Sequence, residues 1–210
     1  MILRAHVPVH THTVRHVRSH KGEFIIDDTY QCRYLVGAGG THCPVYKNFF
    51  NTPHKRPETA MICAVEKEYQ CDIPDDRCHI WYFGNRLPGY AWYLPKGNGW
   101  LNIGIGGKFL KLKKQGRTIM DHWRDFVKKL INLSLIKQAP HNPRGHNYYL
   151  FHKNPAFRRD NLFVIGDAAG VSTLYMGEGV HAVISNNKQF HDDFTKFSLP
   201  GIFMAKHYNS

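Results

Sequence analysis

The sequence predicts an α/β fold that includes an antiparallel sheet. Three observations carry this prediction. Short runs rich in aromatic and branched residues, separated by Gly, Pro and Asn, fill residues 60–107. Over residues 117–136 the apolar period changes from two to between three and four. Later, the apolar stretch NLFVI of residues 161–165 runs into a row of small residues, GDAAG, as when a strand enters a glycine-rich turn.

Each element follows in order. Val7, Val9 and Val14 interleave with polar residues, and EFIIDDTYQCRYLVGAGG reads as a hairpin. Phe24 and Ile26 are expected on one face, Asp27 and Asp28 at the turn, and residues 34–36 in a second, buried strand that ends at Gly37-Ala38-Gly39-Gly40. Residues 51–60, rich in Pro, Thr and charge, read as a crossing loop. MICAVEKEY, CHIWYFGN, GYAWYLPKG and GWLNIGIGG supply the strands of the antiparallel sheet. Ile119, Trp123, Phe126, Val127, Leu130 and Ile131 form the stripe of an amphipathic helix. Lys128, Lys129 and Lys137 fall toward its C-terminal end, where cations suit the helix dipole. Residues 138–160 read as a loop with a short strand at 148–151. A strand at 163–165 and a helix from Gly177 to about Asn187 follow; beyond Gln189 no period is evident.

Composition narrows the class. Hydrophobic residues make up 42% of the 210 and aromatics 13%, enough for a packed core and against disorder. Lys and Arg exceed Asp and Glu by 28 to 16, a net charge of +12, which favours anionic partners, whether nucleic acid, anionic lipid or a phosphate-bearing cofactor, and charge alone does not choose among them. The five Cys are odd in number and form no CxxC pair, so a reducing compartment is expected and a disulfide framework is not. No stretch approaches the roughly 18 apolar residues of a membrane span. Together these point to a cytoplasmic protein, or one peripheral to a membrane.

The chemistry concentrates at GDAAG. A parallel strand entering such a turn brings backbone N–H groups to the carboxyl edge of a sheet, where open α/β sheets bind ligands. Gly166 permits close backbone approach. Asp167, acceptor-only when ionised, suits a ligand with hydroxyl donors such as a ribityl chain. Ala168, Ala169 and Gly170 leave room beside it. Ten residues on, Gly177, Glu178, Gly179 and Val180 open the next expected helix, whose N-terminus offers free N–H groups and partial positive charge to an anion. The pattern therefore calls for a cofactor with hydroxyls and developing negative charge.

NLFVIGDAAGVSTLYMGEGVHAVIS resembles the C-terminal FAD motif of the geranylgeranyl reductase group, related to the flavin aromatic hydroxylases. YLVGAGGTHCPVY is similar to the second FAD-side motif of that group: Gly37 and Gly40 match, Gly39 replaces the usual Asp, and Cys43 stands at the usual Ser. GYAWYLPKGNGWLNIGIG resembles its reductase signature through Tyr90, Trp92, Pro95, Gly104 and Gly106, with Leu94 replacing an aromatic. A Pro usual between GDAAG and GEG is absent, with Leu174 near its place. The resemblance implies that Gly37, Gly40, Gly166, Asp167, Ala168, Gly177, Glu178, Gly179 and Val180 contact FAD, with Asp167 on the ribityl chain. It implies that Tyr90, Trp92 and Pro95 line the substrate cavity.

The resemblance further implies a partial, Rossmann-like FAD-binding domain at 1–50 and 159–210, interrupted by a β-rich substrate domain at 51–158. The expected function is FAD-dependent oxidoreduction of a small apolar or lipid substrate, of which an isoprenoid is one candidate, with NAD(P)H as electron donor, or monooxygenation by the same parts. No side chain is assigned as catalytic, because the flavin carries the chemistry. The strand–GxGxxG–helix unit that holds the pyrophosphate of FAD is absent; Gly37–Gly40 and Gly104–Gly107 are decoys. The chain is therefore expected to cover the C-terminal part of the family pattern, as a truncated form or one half of a split protein. The opposing reading is a non-catalytic basic module that binds anionic partners.

Other constellations weigh less. His6, His10, His12, His16 and His20 read as a solvated basic strand, on which His10 and His12 would share a face, and no metal is assigned to them. Cys43 beside His42 reads as a buried structural thiol rather than a reactive one. Trp81, Trp92 and Trp100 with Tyr82, Tyr90 and Tyr93 are not interleaved with Lys or Arg, so they read as sheet core or apolar cavity and no nucleic-acid partner is expected.

Overall fold

Parallel strands buried on both faces read as unbroken apolar runs, whereas half-covered antiparallel strands alternate; both patterns are present here, in separate sheets. The computed structural model describes residues 8–51, 55–152 and 157–173, and the backbone of 202–205. In chain order the strands and helices are β1 (Val17–His20), β2 (Glu23–Ile26), β3 (Tyr30–Cys32), β4 (Tyr34–Gly37), α1 (Pro44–Phe49), β5 (Met61–Gln70), β6 (His79–Tyr82), β7 (Gly89–Lys96), β8 (Trp100–Lys108), α2 (Phe109–Lys114), α3 (Ile119–Asn132), β9 (Arg144–Tyr149), β10 (Arg158–Arg159), β11 (Leu162–Val164) and β12 (Ile202–Ala205). They fall into two compact units. Residues 8–51, 55, 157–171 and β12 belong to one, and 56–152 with 172–173 to the other.

The first unit holds an antiparallel sheet of β1, β2 and β3 and a second sheet in the order β10-β11-β4-β12, in which β11 and β12 flank β4 in parallel. Leu35, Leu162 and Val164 point into one core cluster, with Phe24, Ile26, Val45 and Phe50, while Tyr34, Val36 and Phe163 pack together on the other face. The expected hairpin closes differently from the sequence reading. Its second strand is β3, with Ile26 paired to Tyr30, and residues 34–36 leave it to join the parallel sheet. Asp27 and Asp28 do form the turn, with left-handed φ of 47° and 51°, a conformation that Asp tolerates better than most residues.

Residues 8–16 form no strand, so the shared face expected of His10 and His12 is not a strand face; both rings instead pack against Tyr30. The Asp27 carboxylate explains the local path. It accepts the Arg15 and His16 N–H groups and a 2.8 Å contact from His12 Nε2, which pulls this segment onto the hairpin turn instead of a ladder. Val14 is buried and Val9 exposed.

The second unit is an antiparallel sheet in the order β6-β7-β8-β5-β9, with α3 packed on one face. All four aromatic-rich segments form strands. The amphipathic helix begins two residues later than the pattern alone indicates, because Thr118 caps it: the Thr118 side chain accepts the Asp121 N–H and the Asp121 side chain accepts the Thr118 N–H. It stops before Ser134, which is left-handed (φ 57°). Trp123, Phe126, Val127 and Leu130 are buried as expected, but Ile131 is exposed and His122 takes a place in the buried face. The strand expected at 148–151 starts earlier, at Arg144, as an edge strand paired with β5. The loop-like polarity of RGHNYY reflects that edge position.

Candidate functional site

The strand β4 runs in register with β11, Leu35 beside Leu162 and Gly37 beside Val164, so their carboxyl ends open at one edge of the sheet. The Ile165 N–H donates to the Gly37 carbonyl at 3.0 Å. After β4 comes the turn Gly40–His42, after β11 the turn Gly166–Ala168, and the two turns touch. Parallel pairing thus joins two motifs that stand some 125 residues apart in sequence.

The glycines at these turns have different roles. Gly40 (φ 69°) and Gly166 (φ 61°) are left-handed, and a Cβ at either would meet nothing within 4 Å: each turn has open space beside it. A Cβ on Gly37 would lie 2.7 Å from Val45 Cβ and 2.8 Å from Cys43 Sγ, so Gly37 is dictated by the packing of α1. Asp167 is exposed and its carboxylate has no hydrogen bond or ion pair among the described residues. Ala168 and Ala169 are buried below it. Cys43 is fully buried at the N-cap of α1 and makes no side-chain capping bond, in keeping with a structural thiol. Gly177, Glu178, Gly179 and Val180, and the helix expected from 177 to about 187, lie outside the described residues.

These features fit part of an FAD molecule. The backbone of two open left-handed turns can approach a ligand without side-chain obstruction, and an uncommitted carboxylate beside them suits hydroxyl donors.

The second candidate surface is the sheet face opposite α3. Ala91, Tyr93, Leu101, Ile103 and Ile105 point toward α3; the alternate residues Tyr90, Trp92, Asn102, Gly104 and Gly106 point away. Cross-strand pairing extends this open face to Ile80 and Tyr82 on β6, to Ala64 and Glu66 on β5, and to His146 and Tyr148 on β9. The Trp92 ring covers Gly104, where an added Cβ would fall 2.1 Å from it. Tyr90 stands 5.7 Å from Trp92 and 5.9 Å from Tyr82 between ring centroids. Pro95 does not join them. It pairs with Leu101, which faces α3, and so belongs to the opposite side of the sheet from Tyr90 and Trp92.

Sequence reasoning missed Asn102. It is buried, accepts the Trp92 Nε1–H at 2.6 Å, and donates to Glu68 at 3.4 Å and Glu66 at 3.5 Å. Lys96 pairs with Glu68 and holds its carboxyl below the usual range, helped by the Asn102 amide. This chain locks the Trp92 ring in place. The available signal was an amide at the same strand parity as Gly104 and Gly106. Cys63 is pushed up by burial and faces the other way. Among the described residues no group of three or more His, Cys, Asp or Glu is placed to hold a metal, and no helix is long and apolar enough to cross a membrane.

Residues 59–139 match the family model of the geranylgeranyl reductase catalytic domain. Digeranylgeranylglycerophospholipid reductase 1 of Methanosphaera stadtmanae is 32% identical over 127 residues, 59% of this chain and 30% of that protein. Among solved structures, a geranylgeranyl bacteriochlorophyll reductase-like protein from Thermoplasma acidophilum superposes with a TM-score of 0.61 at 16% identity, over 86% of this chain and 49% of the other. An HpxO variant from Klebsiella pneumoniae, solved in complex with FAD, gives 0.58 at 12% identity, over 89% of this chain and 51% of that one. The chain thus spans about a third to a half of the proteins it matches. The domain match and this relative make the chain similar to geranylgeranyl reductases, and its fold is like that of the two solved proteins.

Proposed function

We propose that this chain forms the ribityl side of an FAD site and the substrate face of a reductase acting on an apolar, isoprenoid-type lipid. One observation carries the first half: the Gly40 and Gly166 turns meet at the carboxyl ends of neighbouring parallel strands, beside the uncommitted Asp167. Asp167 accepts hydroxyl hydrogens of the ribityl chain, Gly40 and Gly166 let the cofactor lie against backbone, the buried Ala168 packs the turn that carries Asp167, and Gly37 lets α1 pack close to the end of β4. The resemblance assigns Gly177–Val180 to the flavin ring. FAD, when bound, supplies hydride transfer to the substrate, with NAD(P)H as the donor that reduces it.

Tyr90 and Trp92 give an apolar chain a rigid aromatic surface at low entropic cost, and Gly104 and Gly106 keep the centre of that surface shallow. The archaeal relatives, named for lipid reduction, support this substrate class. A lipid substrate and the net charge of +12 together favour a cytoplasmic chain peripheral to an anionic membrane. The pyrophosphate-binding turn of an FAD site is not among these 210 residues. Hydroxylation would use the same parts; the mass of the product, plus two hydrogens or plus one oxygen, separates the two.

The test is flavin retention. The purified chain, incubated with FAD and desalted, is expected to keep visible flavin absorption and to lose it on Asp167→Ala. Thermal stability should not change, because the carboxylate has no partner among the described residues. Flavin that is absent from the parent chain, or kept equally by the variant, overturns the proposal and leaves the non-catalytic basic module.

A further inference from the structure

The loop that joins β6 to β7 and the helix α2 leave the second unit's sheet at the same end. Gly89 pairs with Gly107, the Lys108 N–H donates to the Pro88 carbonyl, and the Gln115 side chain donates to the Arg86 carbonyl at 3.1 Å. Loop and helix therefore share one surface. Its tip is apolar: Phe83 is 71% exposed and Tyr82 55%, with Ile80 just before them at 42%. Phe83, Asn85 and Arg86 take left-handed φ of 52°, 51° and 61°. A bulky ring is unfavourable in that region, and such outliers cluster at functional sites.

Positive charge surrounds this tip. From Arg77 to Met120 the chain contains no Asp or Glu. Arg86, Lys108, Lys111, Lys113 and Lys114 are exposed and make no ion pair among the described residues. Two acids come beside the surface from neighbouring elements. Glu58 lies on the turn Glu58–Ala60 that touches α2, and Asp125 is already held by Arg117 and the Asn85 amide. A line of rings joins the tip to the open face of the sheet: Phe83 to Tyr82 at 6.5 Å between centroids, Tyr82 to Tyr90 at 5.9 Å and Tyr90 to Trp92 at 5.7 Å.

We propose that this surface docks the chain on an anionic phospholipid bilayer, with Phe83 and Tyr82 entering the boundary of headgroups and acyl chains and the five cations lying on the headgroups. The line of rings then offers an apolar chain a continuous path from the bilayer to Trp92. Nucleic acid fits less well. Bases stack on rings that alternate with cations along a groove, whereas here the cations flank one projecting tip, and Ile80 beside it has no ring to stack. The proposal rests on the reading of a lipid substrate, but its test uses neither flavin nor substrate, so the two fail separately.

The full chain is sedimented with vesicles of phosphatidylcholine alone and of an equal mixture with phosphatidylglycerol. It should bind the mixture and leave the neutral vesicles. Phe83→Asn, which suits the left-handed backbone, should weaken binding about tenfold, the scale of one buried aromatic side chain. Lys113→Gln with Lys114→Gln should weaken it about fivefold for each cation lost. Lys128→Gln with Lys137→Gln removes the same charge from α3 and the segment after it, and should leave binding unchanged. All five positions are exposed, so each variant should keep the parent's thermal midpoint. No binding to the mixed vesicles, equal loss from the two lysine pairs, or full binding by Phe83→Asn overturns the proposal. A single-stranded oligonucleotide held more tightly than the vesicles, with the same loss on Phe83→Asn, also overturns it and makes the surface a nucleic-acid site.

Discussion

At Gly104 one added methyl group would fall 2.1 Å from the Trp92 ring, at Gly89 it would fall 2.0 Å from the Gly106 carbonyl oxygen, and at Gly106 the nearest atom is 3.9 Å away. Three glycines within two paired strands therefore face three different penalties. Gly104→Ala must push Trp92 off its bond to Asn102 and is expected to cost about 1–3 kcal/mol, as overpacking does. Gly89→Ala meets backbone, which cannot swing aside, and should cost more. Gly106→Ala should cost least. Urea unfolding of the three variants checks this order, and a Gly106→Ala as costly as Gly104→Ala would refute it. At this scale the sequence showed the candidate site unevenly. Asp167 was legible because a carboxylate among small residues is unusual after an apolar run. Asn102 was not, since its importance comes from Trp92 and Glu68 arriving from neighbouring strands.

Helix α3 shows the same division at the scale of an element. Its apolar stripe was visible as spacing, but its first residue is set by the capping box of Thr118 and Asp121. Thr118→Ala is expected to cost about 1 kcal/mol, the usual value of an N-cap, as read from denaturant midpoints. The Thr118 N–H, the Thr118 hydroxyl and Arg124 lower the Asp121 pKa to about 2 from 3.8. A carboxyl depressed in the fold stabilises it above the unfolded value and loses that contribution as protons return. The cap should therefore hold down to about pH 3.8 and fail toward pH 2, and the parent chain should lose more stability across that window than Asp121→Asn. Strand β9 was only partly legible, because an edge strand pairs on one side and tolerates the polar residues of RGHNYY. The helix α2 and strand β12 were not foreseen: α2 spans six residues, too few to display a period.

For the whole molecule the dominant long-range quantity is charge. A net charge of +12 makes the folded chain repel itself, and salt screens that repulsion with a Debye length of about 8 Å at 0.15 M. The thermal midpoint at pH 7 is expected to rise between 20 and 200 mM NaCl. A midpoint that falls would mean that the ion pairs, such as Arg77 with Asp75 and Arg117 with Asp125, outweigh the net charge.

By itself the sequence determined the kinds of element, the aromatic sheet, the amphipathic helix, the glycine-rich turns and the likeness to the geranylgeranyl reductases, because all of these are written in local spacing and residue type. Only the tertiary structure decided the rest. Strand pairing brought Gly40 beside the Gly166 turn, strand parity moved Pro95 away from Tyr90 and Trp92, and residues 34–36 left the hairpin for a parallel sheet. Helix packing buried His122 and left its Nε2 without a hydrogen-bond partner among the described residues. The physical reason is common to all four: which groups become neighbours depends on pairing between distant segments, and no local pattern encodes the partner.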